Sequence, residues 1–551
     1  MAFETLLTDE LIAAYTDAGY WKNKVVTDFL DEHAEKTPDK MAYVDRRGTL
    51  TYAELRAASI RCALGLLELG VKPGEVVSFQ LPNWMEWIVL HYGATRMGAI
   101  LSPLIPIYRE REIQFMVELA ESKVLVIPHE FRHFDYVKMV ERIRHRMPSI
   151  EKVLVVEGRP GMGDGSWEDF MATPWEERRD PAELPALRPD PNDVALIMFT
   201  SGTTGEPKGV MHSHNTLIAP TSNMPSRVPL VNADTVFHMA STLAHLTGFL
   251  YGVRLPNQFG ATCILQDVWD AGTFLDLVEK HKINYTSGAT PFLHDFLNHP
   301  DLDRRDMSSM KLFCTMGAPI PRALVRRAKE HLPGMTVLGG WGQTENGMVT
   351  LSRFDDPEDK IVNTDGCPFP GMEVRTVDAE GDPTPPHVEG GIQVRGPYQS
   401  VGYCKRMEMT RNSYSEDGWF NTGDLAVMDE DGYIRISGRT KDVIIRGGEN
   451  IPVAYVENVM YEHADVAEVA LVGEPDERLQ ERPCLFVVLK PGVQGMTVED
   501  VQAFLTDKGV AKPYWPERVE VLAELPRTAS GKIQKFRLRE SLVTSVEAKH
   551  G

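Results

Sequence analysis

Thr200-Ser201-Gly202-Thr203-Thr204-Gly205-Glu206-Pro207-Lys208-Gly209 is the stretch of this sequence best equipped for chemistry on a phosphate. It directly follows an apolar run ending at Phe199. Three glycines let the backbone bend sharply and turn its N–H groups toward an anion. The hydroxyls of Thr200, Ser201, Thr203 and Thr204 add donors, and Lys208 adds positive charge. A plain surface turn needs none of these. The spacing is not GxxxxGK followed by Ser or Thr, which excludes the phosphate loop of kinases and GTPases. His212 and His214 have metal-binding side chains, but no further ligands stand nearby, so they read as structural.

These residues need a scaffold. Between about 190 and 345, short apolar runs (DVALIMFT, TVFHMA, ATCILQ, INYTSGA, KLFCTM) alternate with helical patterns such as TFLDLVEKHK and PRALVRRAKEHL. That alternation predicts parallel strands covered by helices. The first 180 residues read alike, with VVSFQL and KVLVIP as strands. GRPGMGDGS and DPAELPALRPDPND read as surface loops, the second a joint between subdomains. From about 366 to 436 the text changes to short strands and turns, as in a small β-barrel. After Arg439 it becomes α+β. The expected fold is therefore α/β: a large N-terminal domain of parallel α/β subdomains plus a small β-barrel, then a smaller mobile α+β domain. The boundary falls between 1–440 and 441–551.

A chain of 551 residues is too long for one core. Its net charge of −21 keeps it soluble and argues against a nucleic-acid partner. The six cysteines stand singly, without CxxC spacing, so neither a zinc site nor a disulfide scaffold is expected. No apolar run approaches a bilayer span, and the acidic start lacks the pattern of a signal peptide. The cytoplasm is the expected location, and a homodimer is compatible with the sequence.

The loop at Thr200 resembles the signature of the adenylate-forming family, which includes acyl-CoA synthetases, coumarate-CoA ligases, luciferases and peptide-synthetase adenylation domains. The family's other motifs follow in order over essentially the whole chain. Gly317-Ala318-Pro319 resembles the turn that lies against adenine. Gly340-Trp341-Gly342-Gln343-Thr344-Glu345 resembles the aromatic-Gly-x-Thr-Glu motif. The resemblance implies that Trp341 stacks on adenine, Thr344 touches the α-phosphate, and Glu345 helps to hold Mg²⁺, with Thr204 beside it. An indole offers stacking area and a carboxylate is a hard ligand, so the roles suit the side chains. Tyr is commoner than Trp here; stacking survives that change, whereas a Tyr hydroxyl's hydrogen bond does not. Trp419-Phe420-Asn421-Thr422-Gly423-Asp424 resembles the motif whose Asp binds the ribose, and Arg439 an arginine at the same sugar.

By the same resemblance Lys441 is the hinge of a rotating C-terminal domain, and Gly447, Gly448 and Glu449 approach CoA. Pro526-Arg527-Thr528-Ala529-Ser530-Gly531-Lys532 resembles the catalytic-lysine loop, in which Lys532 bridges the substrate carboxylate and the α-phosphate. The implied activity converts a carboxylic acid, ATP and CoA to an acyl-CoA thioester through an acyl-adenylate, with Mg²⁺. His245, Leu246 and Phe249 fall in the family's acyl-pocket segment, and Met316 stands where many relatives have glycine. Pro291 and Phe292 could add apolar lining. No Asp in that segment pairs with an ammonium, which disfavours amino acids. The opening segment resembles the cyclohexanecarboxylate and medium-chain branch, so alicyclic, branched or medium-chain acids are expected, aryl acids next. An acyl-AMP ligase loading a carrier protein and a silent nucleotide-binding regulator are the alternatives; the retained Glu345, Lys532 and Arg439 argue against the regulator.

Overall fold

The computed structural model describes residues 3–200, 207–317, 320–440, 443–446, 449–476, 478–527 and 533–550, the side chains at 445, 449, 450 and 543–550 excepted. Two large sheets dominate. One runs Gly402–Tyr403, Lys208–Ser213, Val194–Thr200, Ile100–Pro103, Val76–Phe79, Val124–Pro128, Lys152–Val156, Gly165–Ser166. Its members from Val194–Thr200 onward are parallel, while Lys208–Ser213 and Gly402–Tyr403 add antiparallel pairings at one edge. The other sheet has a parallel centre, from Thr336–Gln343 through Leu312–Met316, Tyr285–Gly288, Val236–Met239 and Thr262–Leu265 to Met41–Val44.

The strand sequences explain this arrangement. Val76–Phe79, Val124–Pro128 and Leu312–Met316 are buried at every position. Such unbroken burial belongs to strands covered on both faces, which is where parallel sheets are stable. Among the covering helices, Ala271–His281 turns one apolar stripe inward, while Met85–Arg96 is buried over most of its surface. In Ala271–His281, Asp270 accepts from the Thr273 N–H and caps the first turn, while Phe274, Leu275 and Val278 turn inward.

The short strands after residue 366 form a four-stranded antiparallel sheet in the order Glu373–Val377, Glu389–Arg395, Phe420–Met428, Ile434–Arg439. The largest apolar core gathers residues from Trp21 to Ile434. Residues from Ile444 onward make separate cores around Val456, Leu471, Leu485 and Val501, and around Phe486, Leu525 and Leu538. There, strands Val466–Asp476 and Gln480–Leu489 pair antiparallel, and helix Val498–Asp507 begins with a reciprocal Thr497–Asp500 cap. Among the described residues no helix is long and apolar enough to cross a membrane.

Candidate active site

Strand Thr336–Gln343 delivers Gly340, Trp341, Gly342 and Gln343, and the turn after it delivers Thr344 and Glu345. Gln343 accepts the Asn346 N–H on its carbonyl and donates its own N–H to Asn346 Oδ1, which closes the turn into strand Gly347–Leu351. Register slips between Trp341 and Gly342. At that irregularity a Cβ on Gly342 would lie 1.8 Å from the Gly347 carbonyl oxygen, so the motif's second glycine is a steric requirement. Gly342→Ala is accordingly expected to cost at least about 1–3 kcal/mol, because a backbone atom must move to admit the methyl group. Thermal unfolding of the variant checks this; an unshifted midpoint would show that the turn yields easily.

Asp424 is the centre of the polar constellation. It lies on Phe420–Met428, directly opposite Arg439 on Ile434–Arg439. Trp341 Nε1 donates to Asp424 Oδ2 at 2.9 Å, and Gln343 Nε2 donates to the same oxygen at 2.8 Å. Arg439 Nε pairs with Oδ1 at 2.8 Å. The Asp424 side chain is 6% exposed and that of Arg439 48%, so the acid is fixed while the guanidinium reaches open space. Gln343 also donates to the Thr422 carbonyl at 2.9 Å. Trp341 thus offers a donor as well as a ring face: where a Tyr hydroxyl's hydrogen bond is lost, the indole N–H makes one of its own, to Asp424.

Gly317 (φ +82°), Gly340, Trp341, Gly342, Asp424 and Arg439 line one cavity of about 800 Å³. Its opposite wall comes from the C-terminal part, through Glu457, Arg527 and Lys535. Lys535 Nζ lies 2.7 Å from the buried Glu457 carboxylate, and Arg527 pairs with Glu468 at 2.8 Å. Glu457 also accepts the Leu471 N–H at 2.6 Å.

Thr200 and Lys208 face each other across the antiparallel pair Val194–Thr200 and Lys208–Ser213. The strand Gly402–Tyr403 continues this edge, with Tyr403 in register with Val210. The Tyr403 hydroxyl donates to Glu345 Oε1 at 3.0 Å, and Lys208 Nζ sits 4.9 Å from the centre of the Tyr403 ring. Burial, then the Glu345 charge, push the Tyr403 phenol far above its ordinary value, so it keeps its proton. Ser400 N–H holds the Glu345 carbonyl at 2.6 Å. Tyr403 was not legible as a site residue, since nothing local to it signals a contact 58 positions away.

His212 and His214 are buried. His212 Nε2 donates to the Thr344 carbonyl at 2.7 Å, and Nδ1 meets the Thr216 hydroxyl at 3.1 Å. Burial lowers His212 to about 4, so the ring is neutral and braces the Gln-Thr-Glu turn. No cluster of three or more possible metal ligands occurs among the described residues.

In the acyl segment, His245 caps the short helix Leu246–Gly248 and accepts the Thr247 N–H at 3.4 Å. Leu246 is buried, and Met316 ends the strand Leu312–Met316 in register with Gly340. Phe249 lies deeper in the same segment. It has no exposed surface and packs edge-on against Trp87 and His91, so it belongs to the core. Pro291 lines the cavity, while Phe292 stacks on Trp269 at 4.5 Å. Ser201, Gly202, Thr203, Thr204, Ala318, Pro319, Lys441, Gly447, Gly448 and Lys532 lie outside the described residues, as does the side chain of Glu449.

Comparisons with known proteins show which family the chain resembles over its length. The family model of the AMP-binding enzyme matches residues 30–404, and that of the AMP-binding enzyme C-terminal domain matches residues 455–532. The chain is 35% identical over 533 residues to the medium-chain fatty-acid–CoA ligase of Escherichia coli (strain K12), covering 96% of this chain and 93% of that one. It is 31% identical over 544 residues to the 2,3-dihydroxybenzoate-AMP ligase of Bacillus subtilis (strain 168), covering 97% and 96%. The solved structure of the anthranilate CoA ligase AuaEII in complex with anthranoyl-AMP superposes with a TM-score of 0.86 at 26% identity, covering 94% of this chain and 97% of that one. ATP-bound MatB from Rhodopseudomonas palustris superposes with a TM-score of 0.84 at 28% identity, covering 94% and 99%. With residues 30–404 and 455–532 both matched, and relatives alike over nearly the whole chain, the chain belongs to the AMP-binding enzyme family and is an adenylate-forming ligase.

Proposed function

We propose that the protein activates an alicyclic, branched or medium-chain carboxylic acid as its acyl-AMP and transfers the acyl group to CoA, releasing pyrophosphate and AMP. The observation that carries this reading is the cavity in which Trp341, Asp424 and Arg439 converge, an indole beside a carboxylate and a guanidinium, the side-chain types that suit a nucleoside. The 35% identity to a medium-chain fatty-acid–CoA ligase supports the choice of acid.

In the first step a carboxylate oxygen attacks the α-phosphorus and the bond to the β-phosphate breaks. Two anions must approach, so the site has to supply positive charge and donors. Lys208 and the hydroxyls of Thr200, Ser201, Thr203 and Thr204 serve the phosphates, Thr344 the α-phosphate, and Lys532 both reacting groups. Mg²⁺ fits the donor set, since the Glu345 carboxylate is a hard oxygen ligand of which Tyr403 engages only Oε1. When bound, Mg²⁺ neutralises phosphate charge. In the second step the CoA sulfur attacks the acyl carbon, the thiol proton departs, and AMP leaves with the former carboxylate oxygen. The joint at Lys441 lets the C-terminal part turn between the steps, bringing Gly447, Gly448 and Glu449 toward CoA. Localisation in the cytoplasm and the domain limits 1–440 and 441–551 belong to the same reading.

CoA-dependent AMP release over a panel of alicyclic, branched, medium-chain and aryl acids tests it. Preference for aryl acids would transfer the reading to an aryl-CoA ligase, in line with the anthranilate and dihydroxybenzoate relatives. AMP release that needs a carrier protein instead of CoA would contradict CoA as acceptor.

Met316 sets the size limit in this account, with His245 and Leu246 near the acyl group. Met316→Gly is expected to raise kcat/KM for bulkier acids relative to the native acid, because a thioether's volume is vacated. The buried position makes the variant less stable, by about 2–5 kcal/mol for the lost packing. An unchanged ratio between short and bulky acids would show that Met316 faces elsewhere.

A further inference from the structure

Tyr403 touches two groups of the phosphate machinery at once. Its hydroxyl donates to Glu345 Oε1 at 3.0 Å, and its ring face lies under Lys208 Nζ at 4.9 Å. Its backbone is fixed by the pairing of Gly402–Tyr403 with Lys208–Ser213, the strand that begins with that lysine. The same loop grips Glu345 a second time, through Ser400 N–H and the Glu345 carbonyl at 2.6 Å. A glutamate held at its backbone carbonyl and at one carboxylate oxygen presents the other oxygen in a set direction. A lysine stem resting on a buried aromatic face loses little further freedom when it meets an anion.

We infer that Tyr403 is a positioning residue for nucleotide activation, its hydroxyl aiming the Glu345 carboxylate at the divalent cation and its ring seating Lys208 against the phosphates. The inference rests on the reading of Glu345 as a metal ligand. Groups that orient metal ligands commonly matter about 10–100-fold in metal affinity when removed. The two contacts are separable by substitution. Phe keeps the ring and deletes the hydroxyl; Leu deletes both.

The test uses the full-length enzyme with α,β-methylene-ATP, whose α–β bridge cannot be cleaved. Mn²⁺ binding to the enzyme–nucleotide complex is read from the paramagnetic resonance of free Mn²⁺, and nucleotide binding without metal by calorimetry in EDTA. Tyr403→Phe should weaken Mn²⁺ binding at least roughly 10-fold while leaving metal-free nucleotide affinity unchanged. Tyr403→Leu should weaken metal-free nucleotide binding as well, by roughly 2–5-fold for the lost cation–π contact. Glu345→Gln should weaken Mn²⁺ binding, and adding Tyr403→Phe to it should change little more, because the two act through one carboxylate.

Wild-type Mn²⁺ affinity in Tyr403→Phe, beside a weakened Glu345→Gln, overturns the inference and leaves the metal-ligand reading standing. Unweakened Mn²⁺ binding in Glu345→Gln overturns that reading, and the inference with it. Equal metal-free affinity in Tyr403→Phe and Tyr403→Leu overturns the role of the ring.

Discussion

Lys532→Ala is expected to lower adenylate formation on the order of 10²–10³-fold while still converting supplied acyl-adenylate and CoA to thioester at a near-native rate. The ammonium is needed only where a carboxylate and a phosphate must be drawn together, which is the first half-reaction. In the second, the nucleophile is a sulfur and the electrophile a mixed anhydride already made. Two described cations close to it in sequence are already engaged. Lys535 is engaged by the buried Glu457 at 2.7 Å, and Arg527 by Glu468 at 2.8 Å. Acetylation of Lys532 should act in the same way, since it removes the charge. The two half-reactions are measured separately, by acid-dependent pyrophosphate release and by thioester formation from synthetic acyl-AMP. Equal loss in both would make Lys532 a structural residue.

Asp424→Ala should combine a loss of stability with a loss of ATP affinity. Removing the carboxylate strands the buried Trp341 indole N–H, which meets Oδ2 at 2.9 Å, and takes one of two acceptors from the half-buried Gln343 amide, which keeps the Thr422 carbonyl at 2.9 Å. One unsatisfied buried donor of this kind costs about 1–3 kcal/mol. Arg439 adds less, because its half-exposed side chain can turn to water. ATP affinity should fall roughly 10–100-fold, the worth of hydrogen bonds from a ribose to a charged acceptor. Thermal unfolding of the unliganded protein measures the first effect and equilibrium nucleotide binding the second. A destabilised variant with native ATP affinity would assign Asp424 to the scaffold alone.

These expectations also mark what the sequence could carry. Strands such as Leu312–Met316 and Val194–Thr200 were legible because parallel strands buried on both faces must be unbroken apolar runs. Each motif was legible by itself for a similar reason, since glycine, hydroxyl and charge in close succession are costly for a plain turn. Their convergence was not. Trp341 and Asp424 are 83 positions apart, and only the stacking of two separate sheets against one cavity brings them to 2.9 Å. Phe249 shows the opposite limit: an apolar residue beside His245 suits a pocket and a core equally, and its edge-on contacts with Trp87 and His91 had no signal in the sequence. Tyr403 had no local signal, because its importance lies in which strand it pairs with.

The central claim is that an acyl-adenylate is formed and then cleaved at its acyl carbon. Acid labelled with ¹⁸O in its carboxylate, turned over with ATP, Mg²⁺ and CoA, tests this directly by mass spectrometry of the nucleotide released. The account predicts AMP carrying one oxygen from the acid, with unlabelled pyrophosphate, because attack at the α-phosphorus and departure at the acyl carbon transfer that atom. Unlabelled AMP, or ADP as the nucleotide product, would contradict it.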